Sequence, residues 1–311
     1  MDAQVEALLQ MMAAQAQATG APPMWTLPPV VARAGAETGF AAFNTPMPAG
    51  VALAGRAIPG PAGDITAMVF TPTGEGPFPL LVYIHGGGWV IGSPATHQKL
   101  CAELALGAGV VVVSPHYRLA PEHPAPAALD DCLAAIEWAV AHASELGADG
   151  SRLAIGGDSA GANLTAAACQ CLRDAGGPPV RLQLLLYGAF DHDFDRSSYK
   201  RNGTGYILEL DAIKWFWEQY LAGGADPTGP GVSPARGKLE GLPPAHLIVG
   251  SLDPLLDDST SYAEKLKAAG VPATLSIYPD MPHVFLQLSA MLDGGKKGVA
   301  ECCDVLRRAL A

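Results

Sequence analysis

The sequence predicts an α/β fold: a mainly parallel central sheet with helices on both faces. Two observations carry this expectation. Short, continuous apolar runs rich in branched residues recur along the chain, as strands buried on both faces require. Between them lie longer stretches with helical periodicity, several of which end in glycine.

Taken in order, the elements begin with "MDAQVEALLQMM", where Val5, Leu8, Leu9 and Met12 recur at helical spacing and predict an amphipathic helix lying on the rest of the protein. Proline-rich connections such as "APPMWTLPP" follow. "LLVYIHGGG" from Leu80 and "GVVVVSPHYRLAP" from Gly109 read as buried strands, with the helix "PATHQKLCAELALGAG" between them. "PAALDDCLAAIEWAVAHASELG" supplies a longer helix, and "RLAIGG" and "RLQLLLYG" are strands on either side of the helical "ANLTAAACQCL". The strands "PAHLIVG" and "ATLSIYP" then alternate with the helices "DDSTSYAEKLKAAG" and "KKGVAECCDVLRRALA". Two regions break the rhythm: the first 45 or so residues, and about 190–236, where charged turns lead into "ELDAIKWFWEQYL". The four aromatic residues of that helix are expected to serve packing. A length of 311 residues leaves two domains and one large domain with an accessory piece equally open.

Composition narrows the function classes. Hydrophobic residues make up 49% and charged residues 16%, enough apolar material for a large core. The net charge of -11, from 19 Lys and Arg against 30 Asp and Glu, repels phosphate backbones and anionic membranes, so neither nucleic acid nor a membrane is expected as a partner. The start is acidic where a secretory signal needs basic residues, the first positive side chain being Arg33, and no apolar run approaches the ~20 residues that span a bilayer. The six cysteines, Cys101, Cys132, Cys169, Cys171, Cys302 and Cys303, include no C-x-x-C and read as reduced thiols, which fits a cytoplasmic protein.

The chemistry centres on "GGDSAG", residues 156–161. Gly157, Ser159 and Gly161 meet the G-x-S-x-G pattern between a strand and a helix, the setting of a nucleophile elbow. A serine hydroxyl is a weak nucleophile, so it needs a base, an acid to orient the base, and donors for the oxyanion. "HGGGW", residues 85–89, ends a strand and offers backbone N–H groups to an oxyanion, together with that of Ala160 after the serine. Neither glycine tract continues as a dinucleotide loop, and the eight histidines show no metal-binding spacing.

These motifs, with "YRLAPEHPAPAALDD" at 117–131, "SLDPLLDD" and "DMPHVF", resemble the bacterial hormone-sensitive-lipase-like (family IV) esterases over nearly the whole chain. The resemblance implies an α/β-hydrolase fold with a mostly parallel sheet and a helical cap. It divides the chain into 1–47, the N-terminal part of the cap, and 48–311, a catalytic domain with a cap insertion at about 190–235. It places the triad at Ser159, Asp253 and His283, the order found in this fold. It gives the oxyanion hole to Gly87, Gly88 and Ala160, and the turn to Gly86. His85 then shapes the glycine loop, Asp158 makes a structural hydrogen bond, and His116 and His123 are structural. Asp257 and Asp258 are left as surface or loop residues. Three positions depart from the family pattern: Val284 stands where glycine is common, Leu256 where arginine is frequent, and Ala162 where glycine often follows the elbow.

The activity so implied is a carboxylesterase hydrolysing short to medium acyl esters through an acyl-enzyme, with a small-molecule ester as partner and no metal or other cofactor. An amidase or lactonase could use the same triad. A ligand receptor on the same fold is disfavoured by the presence of His283, and since some members of the family are dimers, a homodimer stays open.

Overall fold

The computed structural model describes residues 1–44 and 46–311, with the side chain of residue 42 also outside the description. The chain opens with α1 (Ala3–Thr19) and α2 (Pro29–Ala41), followed by the hairpin β1 (Val51–Gly60) and β2 (Gly63–Pro72). Strands and helices then alternate: β3 (Phe78–Ile84), α3 (Gln98–Ala108), β4 (Val111–Pro115), α4 (Ala127–Ala141), β5 (Ala148–Asp158), α5 (Ala160–Ala175) and β6 (Val180–Leu186). An insertion carrying α6 (Ser197–Asn202) and α7 (Leu210–Tyr220) precedes β7 (Ala245–Gly250), α8 (Leu256–Ala268), β8 (Ala273–Tyr278) and α9 (Asp293–Leu310).

The eight strands form one sheet in the order β1-β2-β4-β3-β5-β6-β7-β8. Only β2 runs against its neighbours; from β4 to β8 every pairing is parallel. Parallel neighbours need crossover connections, which the intervening helices supply while covering both faces. The strand residues divide accordingly. Leu80, Val82 and Ile84 of β3 and Val111 and Val113 of β4 enter one apolar cluster, with α4, α5, α8 and the insertion. Leu81, Tyr83 and Val112 enter the other, with α3, α9 and the start of α1. Two-sided burial explains why these strands are uninterrupted apolar runs rather than alternating ones.

The edge hairpin obeys a different rule. β1 buries only Ile58, whereas β2 alternates, sending Ile65, Ala67 and Val69 to one cluster and Phe70 to the other. In α1, Asp2 caps the helix by accepting from the N–H groups of Gln4 and Val5, and Gly20 closes it with φ +61°. Val5 and Leu8 are buried as their spacing predicts, but Met12 is exposed, because the second half of the helix runs beyond the body it rests on. The aromatic residues of α7 pack as expected: Trp217 and Tyr220 surround Trp89, whose ring stacks on Tyr220 at 4.3 Å.

Candidate active site

Ser159 sits between β5 and α5 with φ +55° and ψ -119°, a conformation an L-residue holds only when its surroundings impose it. The flanking small residues provide for this. A Cβ on Gly157 would lie 2.5 Å from the Ile84 carbonyl oxygen, and one on Gly161 only 2.0 Å from that same atom. The elbow therefore presses against the end of β3, and glycine at both positions is a steric requirement. The Ser159 N–H donates to the Leu186 carbonyl at 2.8 Å, fixing the turn to β6.

Asp253 lies in the turn after β7 and His283 in the loop after β8, so the fold brings both to the strand ends where Ser159 projects. His283 Nε2 is 3.0 Å from Ser159 Oγ, and His283 Nδ1 is 2.7 Å from Asp253 Oδ2. A carboxylate only accepts, so Nδ1 carries the ring proton and Nε2 is free to accept from the serine hydroxyl. The other Asp253 oxygen accepts from the Leu255 N–H at 2.8 Å, and the edge of Tyr187 packs against the His283 ring at 4.9 Å.

The glycine loop is set by contacts on every side. A Cβ on Gly86 would meet Asp158 Oδ2 at 2.4 Å, one on Gly87 the Ile91 carbonyl oxygen at 2.1 Å, and one on Gly88 the Phe216 ring at 2.2 Å. Gly87 and Gly88 have φ values of +116° and +57°, and among the described residues their N–H groups donate to no protein acceptor. Ala160 opens α5, where the first-turn N–H groups have no partner within the helix.

Beneath this loop, Asp158 is a buried hub. It accepts from Tyr83 OH at 2.9 Å, from the Gly86 N–H at 3.0 Å and from Gln287 Nε2 at 3.1 Å, with His97 Nε2 at 3.3 Å. Burial pushes this carboxyl upward, but the His97 charge and the hydrogen bonds from His97 and Tyr83 outweigh it and hold Asp158 below the ordinary range. The structural hydrogen bond expected of Asp158 is thus four contacts joining the glycine loop, the Ser159 turn and the segment after His283. His85 does not reach the serine. Its ring stacks on Tyr117 at 4.3 Å, its Nδ1 contacts the Gly86 carbonyl at 2.8 Å, and burial with the neighbouring charges of His97 and His116 pushes it well below the ordinary histidine value. His116 stacks against His85 and His123 is exposed.

One expectation is corrected. Asp257 and Asp258 are not both surface residues: Asp257 is half-buried in the first turn of α8 and accepts from Ser197 Oγ and the Ser198 N–H, while Asp258 is 1% exposed and accepts from the N–H groups of Phe190 and Asp191. The cause is packing of the insertion over the start of α8.

A cavity of about 230 Å³ opens onto Ser159 and His283. Its lining is mostly apolar and comes from distant segments: Met24, Ala36 and Phe40 from the N-terminal segment, Ile213, Phe216 and Trp217 from α7. α1 takes no part, since its buried residues join the cluster on the opposite face. Val284, Gln287 and His97 also line the cavity. Gln287 and His97 escape sequence reading because their roles arise through Asp158, far away in the chain. Of the three departures from the family pattern, Val284 reaches the cavity, whereas Leu256 and Ala162 lie at the start of α8 and within α5. Among the described residues no group of three His, Cys, Asp or Glu side chains converges as a metal site, the six cysteines are unpaired, and no helix is long and apolar enough to cross a membrane.

Comparison with known proteins agrees with this geometry. Residues 81–287 match a family described as having the α/β hydrolase fold. The carboxylic ester hydrolase LipN of Mycobacterium tuberculosis is 45% identical over 261 residues, 82% of this chain and 69% of that protein. The ethyl acetate hydrolase of Pseudomonas putida is 38% identical over 234 residues, 74% of this chain and 73% of that protein. Among solved structures, an α/β hydrolase enzyme from the metagenome of Lake Arreo superimposes with a TM-score of 0.94 at 37% identity, covering 99% of this chain and 98% of that one. The hyperthermophilic esterase of the archaeon Pyrobaculum calidifontis gives 0.93 at 33% identity, covering 100% and 99%. The chain belongs to the α/β-hydrolase superfamily, in its hormone-sensitive-lipase-like family of esterases.

Proposed function

We propose that this protein is a serine carboxylesterase that hydrolyses short to medium acyl esters of small alcohols through an acyl-enzyme. The observation that carries the reading is the unbroken contact from Asp253 Oδ2 through His283 to Ser159 Oγ, at 2.7 and 3.0 Å. Ser159 Oγ attacks the ester carbonyl carbon as its proton passes to His283 Nε2; Asp253 holds the ring in the accepting tautomer and balances the imidazolium. The tetrahedral oxyanion takes hydrogen bonds from the Gly87, Gly88 and Ala160 N–H groups, donors already held in place when the charge develops. Collapse expels the alcohol with the proton from His283. Water, deprotonated by the same nitrogen, then releases the acid.

Of the cap segments 1–47 and 190–235, the stretch carrying Met24, Ala36 and Phe40 and the insertion roof this chemistry, supplying the apolar walls on which an acyl chain rests, while α1 lies on the other face. The cavity of about 230 Å³ is smaller than the ~300 Å³ at the low end of drug-sized sites, which supports short chains over long ones. The name ethyl acetate hydrolase carried by one relative supports the same end of the range.

The test is turnover of p-nitrophenyl esters from acetate to palmitate. Activity should peak at short or medium chains. Ser159→Ala should lower kcat by about 10⁶-fold and Asp253→Asn by about 10⁴-fold, while Asp257→Asn should change it little. Full activity in Ser159→Ala overturns the mechanism, and loss in Asp257→Asn rather than Asp253→Asn moves the acid.

A further inference from the structure

We propose that Asn202, on α6 of the insertion, is a positioning residue for Asp253, so that the insertion completes the triad as well as roofing it. This rests on the reading of Asp253 as the triad acid. The turn bearing Asp253 is held from two sides. On one side it is tied to the strand and loop leading to His283: the Ser251 N–H donates to the Tyr278 carbonyl at 2.9 Å, the Leu252 N–H to the Met281 carbonyl at 3.1 Å, and the Asp280 N–H to Ser251 Oγ at 2.9 Å. On the other side the Asp253 carbonyl accepts from the Leu256 N–H at 3.2 Å, and the insertion adds side-chain donors of its own. Asn202 Nδ2 donates to the Ser251 carbonyl and to the Asp253 carbonyl, each at 3.0 Å, and Ser198 Oγ donates to the Pro254 carbonyl at 2.6 Å.

The residue types follow from the task. A primary amide presents two N–H bonds from one nitrogen, and here both are used on two carbonyls of the same turn. Asn202 is 2% exposed and Ser198 fully buried, so bulk water cannot take over these bonds. The docking is reciprocal, since Asp257 in the next turn accepts from the Ser198 N–H at 2.9 Å. One of the bonded carbonyls belongs to Asp253 itself. Rotation of that peptide swings the carboxylate relative to His283 Nδ1, and misplacement by about 1 Å costs catalysis on the order of 10²-fold.

A double-mutant cycle tests the assignment, with p-nitrophenyl butyrate as substrate and active sites counted by a phosphonate inhibitor. Asn202→Ala should lower kcat by about 10- to 100-fold with KM within about 2-fold of wild type. In an Asp253→Asn background the same substitution should have almost no further effect, because it acts through Asp253. An equal loss in both backgrounds, or a wild-type kcat for Asn202→Ala, overturns the inference. Asn202→Ser, which keeps a single donor on a shorter side chain, serves the same cycle if the alanine variant does not fold. Activity surviving in Ser159→Ala would instead remove the triad reading itself, so the two failures are distinguishable.

Discussion

Val284 follows His283 with φ +58°, in the left-handed region where a β-branched side chain is a genuine outlier. Its neighbours account for this: the loop must turn sharply to deliver the imidazole to Ser159 Oγ, and residue 284 absorbs the turn while its side chain lines the cavity. Strain of this kind costs ~1–3 kcal/mol, against ~1 kcal/mol of chain entropy for glycine. The strain term wins, so Val284→Gly is expected to stabilise the fold by about 1 kcal/mol, read as a Tm rise of about 2–4 °C. Removing the isopropyl group also enlarges the cavity, so longer p-nitrophenyl esters should gain relative to acetate. A lower Tm would show that packing of Val284 outweighs its strain. The departure from the family's glycine is legible in the sequence, but its meaning is not, because a dihedral angle leaves no mark on composition or spacing.

Among the elements, α8 shows what periodicity can and cannot reveal. Asp258 shares a face with Tyr262 and Leu266, at steps of four, and all three are buried. That pattern was available in "DDSTSYAEKL". What covers the carboxylate was not, since the entry and exit of the insertion close over it: Arg196 Nε lies 3.6 Å from Asp258 Oδ2, and Asp191 bridges Arg196 and Arg236. The β1–β2 hairpin lies outside the strands read from the sequence: "DITAMVF" alternates, but nothing local fixes β2 against β4. Burial pushes Asp258 up to about 7, against the Arg196 charge and two backbone donors. A carboxyl raised in the folded state binds its proton more readily there than in the unfolded chain, so its contribution to stability increases as pH falls from about 7 toward 4. Asp258→Asn removes the charge while retaining an acceptor for the Phe190 and Asp191 N–H groups. It should therefore be more stable than wild type at pH 8, by at most roughly 4 kcal/mol, with the difference shrinking as pH falls from about 7 toward 4. Tm measured against pH for both proteins checks this. A constant difference would mean that Asp258 does not titrate in this range.

At the scale of the whole molecule, the sequence revealed most where function is carried by ordered motifs at strand ends. The strands from β3 onward and the side chains that meet at Ser159 could be read in chain order because each motif brings its own local geometry. The cavity could not, because Phe40, Phe216 and Gln287 converge only through tertiary packing, and an apolar residue bound for a wall looks like any other in a core. The two wall segments are also attached differently. The insertion docks through α6 and the Asp258 cluster, whereas α2 is pinned by Arg33, whose guanidinium donates to the Val90 carbonyl at 2.8 Å, the Ala120 carbonyl at 3.0 Å and Glu122 at 2.7 Å. Glu122 is half exposed, so that ion pair contributes little, ~0–1 kcal/mol, while charged donors to the partly buried carbonyls are worth ~1.5–3 kcal/mol each. The carbonyl contacts therefore decide where α2 sits, and with it Ala36 and Phe40 on the same helix. Arg33→Ala should loosen that wall and raise the ratio of octanoate to butyrate hydrolysis several-fold, with butyrate kcat nearly unchanged, while Glu122→Ala should leave the ratio as in wild type. Equal ratios in all three proteins would show that α2 is held by its apolar contacts alone, and an effect of Glu122→Ala matching that of Arg33→Ala would return the ion pair to the controlling role.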